Sequence, residues 1–227
     1  MTHNILLTSA DGFSFPVYLA KPSGAPKAAI VVVQEIFGVN SHIRAVADGY
    51  AAQGYLAFAP AAFQRVESDV ELGYTQADID RGVALKAAVQ ALPAPGVMAD
   101  LQAVVTHAGA NGKVGMVGYC WGGLLTWRSA CSLEGLHAAV AYYGGGITTA
   151  EEREHKPRCP VLCHFGNQDH AISNDSVDSL RIAQPQVQVQ VYPASHGFNC
   201  DQRGSFDTKA AKLAFERSIE FLARHLA

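Results

Sequence analysis

Lys113-Val114-Gly115-Met116-Val117-Gly118-Tyr119-Cys120-Trp121-Gly122-Gly123-Leu124-Leu125 is the stretch on which the reading of this chain turns. Residues 113–117 form a short apolar run of the kind that makes a buried strand, and Leu124, Leu125, Trp127 and Ala130 follow at helical spacing. Between them, Gly118-Tyr119-Cys120-Trp121-Gly122 is a Gly-x-nucleophile-x-Gly turn with cysteine where serine usually stands. A turn this tight excludes a Cβ at its flanks, so glycine is required there. The strain lifts Cys120 above the carboxyl edge of the sheet, and the new helix aims its N-terminus at the sulfur, which favours a thiolate or an oxyanion. The plainer alternative is a buried structural thiol in a glycine-rich turn. The strand before it, the helix after it and the partners downstream favour a nucleophile.

Working outward, residues 5–20 alternate weakly and predict an opening hairpin around Asp11-Gly12. Residues 28–34 are apolar at nearly every position, which suits a strand covered on both faces and hence a parallel sheet between helix layers. Residues 54–60 make the next strand, stopped by Pro60, and residues 61–73 are irregular and expected over the carboxyl edge of the sheet. Further strands are expected at 137–142, 159–165 and 187–192. Helices are expected at 42–53, 76–92, 97–107, 173–183 and 207–226. Strands and helices alternate without an internal repeat or linker, so residues 1–227 read as one doubly wound α/β domain. In such a sheet the site lies beyond the carboxyl ends of the strands.

Composition narrows the function class. A chain of 227 residues, 49% hydrophobic, is long enough for one substantial core. A net charge of -3 gives no electrostatic case for nucleic acid or an anionic membrane, and no apolar run is long enough to span a bilayer. Met1-Thr2-His3-Asn4 lacks the basic-then-apolar build of a signal peptide, so a cytoplasmic location is expected. Five cysteines leave at least one unpaired, and a disulfide framework is not expected. Cys159 and Cys163 flank Pro160-Val161-Leu162, a spacing unlike a zinc site, and read as strand residues. Neither a metal nor an organic cofactor is expected; the partner is a small-molecule ester or lactone, and a monomer is the favoured assembly.

A thiol that attacks a carbonyl needs a base within reach and a group that orients the base. Of nine histidines, His196 follows the final strand in Pro193-Ala194-Ser195-His196-Gly197-Phe198, a loop able to cross the edge of the sheet. His170 competes through its neighbour Asp169, while His3, His42, His107, His137, His155, His164 and His225 read as surface or satisfied core residues. The order nucleophile, acid, histidine favours His196. Asp169, in Phe165-Gly166-Asn167-Gln168-Asp169-His170, is then the orienting acid, against a plainer role as a turn or capping aspartate. Asp175 and Asp178 lie too far into the next helix. The backbone N–H groups of Trp121, directly after the nucleophile, and Ile36, in the loop after an early strand, are the expected oxyanion donors. Glu35, a carboxylate at the end of a buried strand, needs a partner: an arginine, or the Cys120 thiol itself.

These motifs resemble the dienelactone hydrolase family (carboxymethylenebutenolidases), cysteine members of the α/β-hydrolase fold, whose mostly parallel sheet is flanked by helices on both faces. The matching stretches are Gln34-Glu35-Ile36-Phe37-Gly38-Val39-Asn40, Gly118-Tyr119-Cys120-Trp121-Gly122-Gly123, Gly166-Asn167-Gln168-Asp169 and Ser195-His196-Gly197-Phe198. The resemblance implies a Cys120–His196–Asp169 triad, a Glu35 that contacts the resting thiol and takes its proton when substrate arrives, and hydrolysis of dienelactone to maleylacetate during degradation of aromatic compounds. It departs at the arginines that hold the substrate carboxylate. Arginine first appears after His196 at Arg203, and Arg81 is the second candidate. Phe37 and Tyr74 complete the expected substrate-binding set. The displaced arginine keeps open an esterase or thioesterase with another substrate. A non-catalytic thiol protein is a third reading, disfavoured by the presence of Asp169, His196 and the oxyanion loop.

Overall fold

The computed structural model describes residues 4–227, so His3 lies outside the described residues. The opening hairpin is present: β1 (Asn4–Thr8) and β2 (Ser14–Ala20) pair antiparallel. The remaining strands are β3 (Ala29–Val33), β4 (Leu56–Pro60), β5 (Val114–Tyr119), β6 (Ala138–Tyr142), β7 (Val161–Gly166) and β8 (Gln188–Tyr192). All eight form one sheet in the order β1-β2-β4-β3-β5-β6-β7-β8. β2 pairs antiparallel with β4, and from β4 to β8 every neighbouring pair is parallel.

The helices are α1 (Ser41–Ala52), α2 (Gln76–Gln90), α3 (Val97–Gly109), α4 (Trp121–Ser132), α5 (Ala150–Glu154), α6 (Asn174–Ala183) and α7 (Thr208–Leu226). Successive side chains of a strand point to opposite faces, and here both faces are covered. Ile30, Val32, Val117 and Val140 pack with Ile43 and Tyr50 of α1 and Phe221 and Leu222 of α7. Val31, Val33 and Met116 turn the other way, toward Leu85 of α2 and Leu101 and Val104 of α3. Ala139 and Ala141 lie in a third cluster with Trp127 of α4 and Val177 and Leu180 of α6. Fully burying such a side chain is worth about 1.5–3 kcal/mol, so a one-residue slip of any central strand would forfeit two layers at once. Among the described residues, no helix is long and apolar enough to cross a membrane.

Two expectations need correction, and one helix, α5, has no counterpart in the sequence reading: Thr149 caps it, and Glu152 is buried within it, hydrogen-bonded by Arg128 Nε at 2.7 Å. Cys159 precedes β7 instead of lying in it, because Pro160 has no N–H to give to the ladder. His137 likewise stands just outside β6, its Nδ1 accepting from the Val114 N–H at 3.2 Å.

Candidate active site

The elbow is built as its glycines require. A Cβ on Gly122 would collide with the Val33 and Gln34 carbonyls, and one on Gly118 would strike the Gly122 carbonyl and the Thr126 hydroxyl. Cys120 adopts φ 54, ψ -118, the left-handed region that a non-glycine residue enters only when its surroundings enforce it. Part of that enforcement is its own N–H, which donates to the Tyr142 carbonyl on β6 at 3.0 Å. The result holds the sulfur at the N-terminus of α4, partly buried at the meeting of two core clusters.

Acid and base arrive from the next strands along. Asp169 lies just past β7 with its side chain at 0% exposure; its Oδ2 accepts from His196 Nδ1 at 2.7 Å, and its Oδ1 accepts from the Ala171 N–H at 2.8 Å. Main-chain bonds tie the two loops together, with Asn167 N–H on the Tyr192 carbonyl (2.8 Å) and Gln168 N–H on the Ala194 carbonyl (3.0 Å). The Tyr143 ring packs edge-on against His196 at 5.1 Å. Burial works against the imidazolium, but the Cys120 sulfur and the Asp169 carboxylate outweigh it and hold His196 well above the usual imidazole range. His170, the rival base, is exposed, and so are Asp175 and Asp178. The structure therefore brings His196 onto Asp169 and within the influence of the Cys120 sulfur.

The loop after β3 lies alongside. β3 and β5 run in register as far as Val33 opposite Gly118, so residues 34–40 leave the sheet beside the elbow. Trp121 opens α4, and its N–H is one of the four that a helix leaves without an internal partner. Ile36 sits in a loop pinned from both sides. The Gln34 side chain, fully buried, donates to the Glu35 carbonyl and accepts from the Ala62 N–H at 3.0 Å. Phe37 accepts from the Leu72 N–H at 2.9 Å, which places the irregular segment 61–73 over this edge as expected.

Glu35 is fully buried, and burial raises its carboxyl against the opposing pull of His42, Arg203 and His196. Of its two expected partners, the arginine is the one observed: Arg203 Nη1 lies 3.5 Å from Oε1, and Oε2 has no hydrogen-bond partner. The Arg203 guanidinium lies 5.6 Å from the Phe37 ring and 5.9 Å from the Tyr74 ring, which themselves meet edge to face at 4.6 Å. Phe37 is 1% exposed and acts as a wall for the arginine. Arg81 is brought elsewhere: it is mostly exposed and paired with Glu67 at 2.5 Å.

Two further residues stand behind Glu35. His42, in the first turn of α1, and Cys200, four residues past His196, offer ligand atoms that lie with a Glu35 oxygen within 4.8 Å of one another. Among the described residues, these three side chains are grouped so that they could hold a metal ion, a grouping the sequence spacing does not reveal. His42 also departs from the surface-or-satisfied expectation, since its Nε2 is buried without a partner. Its place on the buried stripe of α1, beside Ile43, Ala47 and Tyr50, is the signal that marks it.

Comparison with known proteins bears on this arrangement as a whole. A family model, "Dienelactone hydrolase family", matches residues 15–226. A carboxymethylenebutenolidase of Pseudomonas putida is 35% identical over 231 residues, covering 98% of this chain and 97% of its own. A Salmonella typhimurium protein assigned as a carboxymethylenebutenolidase is 35% identical over 235 residues, with 95% of this chain and 85% of that one aligned. A crystal structure from Klebsiella pneumoniae, assigned to the dienelactone hydrolases, superposes with a TM-score of 0.84 at 32% identity, covering 99% of this chain and 98% of the other.

Proposed function

The chain belongs to the dienelactone hydrolase family, with the α/β-hydrolase fold, and hydrolyses carboxylic ester or lactone bonds; from that premise we propose that it opens an enol-lactone, dienelactone to maleylacetate, through an acyl-enzyme on Cys120. The observation that carries this reading is the Asp169–His196 hydrogen bond of 2.7 Å, set behind a cysteine held at φ 54 on a helix N-terminus.

In this reading His196 accepts the Cys120 proton and the sulfur attacks the lactone carbonyl. The Ile36 and Trp121 N–H groups donate to the oxygen as it becomes negative; losing one such donor costs on the order of 10²–10³ in rate. Collapse breaks the ring C–O bond, and the departing enolate, still tethered through the acyl chain, takes from His196 the proton that came from Cys120; the enol so formed tautomerises to the ketone and His196 is neutral again. Water then attacks the thioester, giving its proton to His196. The sulfur leaves as the acid forms and recovers a proton from the imidazolium, so the sum is lactone plus water to hydroxy-free keto acid. Asp169 holds the ring in the tautomer both halves need. Arg203 meets the substrate carboxylate, and Glu35, relieved of its arginine, takes the proton from the Cys120 thiol and passes it on to His196. We further place the reaction in the cytoplasm, on a route that degrades aromatic compounds; five free cysteines fit a reducing compartment.

A second reading, an esterase or thioesterase with another substrate, draws support from the arginines: Arg203 is engaged by Glu35 and Arg81 by Glu67. One assay separates them. Purified protein is given dienelactone and p-nitrophenyl esters, with Cys120→Ala as control. Lactone turnover that disappears in the variant is the expected result; turnover of simple esters alone selects the second reading, and turnover unchanged in Cys120→Ala rejects both.

A further inference from the structure

Glu35, His42 and Cys200 reach one buried point from three places: the loop after β3, the first turn of α1 and the loop after His196. Their exposures are 0%, 3% and 0%. Two of them present a polar atom with no hydrogen-bond partner, Glu35 Oε2 and His42 Nε2, an expensive condition for buried groups. The other nitrogen of His42 is held by Asp201 Oδ1 at 3.2 Å, the carboxylate–imidazole arrangement that orients a metal-bound histidine.

We propose that Glu35, His42 and Cys200 form a binding site for one thiophilic divalent cation of the zinc class. The donor set decides the class: a thiolate with an imidazole suits zinc or cobalt(II), whereas magnesium and calcium need a shell of oxygens. Charge agrees, because one carboxylate and one thiolate neutralise a dication and the filled site buries no net charge. On binding, the Cys200 sulfur gives its proton to solvent as the metal–sulfur bond forms. His42 binds as neutral imidazole through Nε2, and its Nδ1–H stays on Asp201. Glu35 uses Oε2, leaving Oε1 to Arg203 at 3.5 Å, and a water completes four-coordination. The nearby guanidinium competes for the carboxylate and keeps the affinity moderate. A filled site also ties Glu35 down and slows turnover; that consequence rests on the hydrolase reading, while the site itself does not.

The test uses the full chain with Cys120→Ala, so that the elbow sulfur cannot serve as a ligand, and cobalt(II) as the probe. One equivalent is expected to produce a near-ultraviolet sulfur-to-cobalt band and visible ligand-field bands, both discharged by zinc. Cys200→Ser on the same background should abolish the sulfur band. His42→Gln, with the sulfur intact, should lose the ligand-field bands, and Asp201→Asn should weaken cobalt binding by roughly 10–100-fold. Circular dichroism confirms that each variant is folded. Absence of a sulfur–cobalt band in the Cys120→Ala protein, or a band that survives Cys200→Ser, overturns the proposal. Since the readout is spectral, a failed lactone assay leaves the site standing, and a missing band leaves the hydrolase reading standing.

Discussion

His164 and His196 show one side chain put to opposite uses. His164 is fully buried in β7, its Nδ1 2.8 Å from the Tyr192 hydroxyl and its Nε2 3.0 Å from the Ser218 hydroxyl. Burial, and then the Arg217 charge on α7, lower it to about 3. Tyr142 and Tyr192, the other titratable groups facing it, are neutral in this range, both raised by burial. The sign follows directly. Near neutrality His164 is unprotonated both folded and unfolded, and its titration contributes nothing. As pH falls below 6.5 the unfolded chain takes up a proton that the folded chain refuses, so stability declines until about pH 3. One such proton contributes a slope of at most about 1.4 kcal/mol per pH unit. Urea unfolding between pH 4 and pH 7 should show His164→Asn losing that share of the slope; equal slopes in both proteins would refute the assignment. At the candidate site, single residues stand out in the sequence where the signal is local. Cys120 announces itself through its flanking glycines, and His196 through its loop. Glu35 shows only its need for a partner, because Arg203 stands 168 positions away and nothing in either neighbourhood pairs them.

Asn40 links the start of α1 to the segment lying over the loop after β3. Its side-chain oxygen accepts from the Ile43 N–H at 3.2 Å as the helix cap, while Nδ2 donates to the Leu72 carbonyl (3.0 Å) and the Tyr74 hydroxyl (3.1 Å). One amide thus caps the helix and fastens the segment that covers residues 36–38. Asn40→Ala should cost about 0.5–2 kcal/mol from the cap alone, read as a lower denaturant midpoint at constant m. Asn40→Asp, which keeps the cap and discards the Nδ2 donor, should recover most of it; no recovery would assign the loss to the strap. Long elements were readable because both faces of the sheet are covered: residues 29–33 are buried at every position, and a continuous apolar run reports that condition directly. α5 escaped because five residues are too few for a helical period, and its one buried polar residue, Glu152, is matched by Arg128 from another helix.

Across the molecule, Arg65 joins parts that no strand connects. From the irregular segment after β4 its guanidinium grips Asp100 of α3 with two bonds, 2.8 and 2.7 Å, and reaches Asp11 in the hairpin turn at 2.8 Å and the Ser9 hydroxyl at 3.0 Å. Asp100 is 4% exposed in its side chain, so removing its partner leaves a buried charge unmet. Arg65→Met should therefore destabilise by about 3–5 kcal/mol, and Arg65→Met with Asp100→Leu should regain most of that. A double variant no more stable than the single would contradict this account. Such a clasp was invisible in the sequence, since its members lie in a turn, a loop and a helix and carry no common pattern. The parallel sheet, by contrast, follows from alternating strands and helices, and its strand order has one further outcome. Asp169 and His196 hang from β7 and β8, whose loops are laced together by main-chain bonds at Asn167 and Gln168, whereas Cys120 hangs from β5 with β6 between. The hydrogen-bonded pair is thus a prefabricated cartridge, assembled without a bond to the β5 loop. Refitting position 120 with a different reactive group would leave that cartridge oriented, ready for whatever chemistry is installed opposite it.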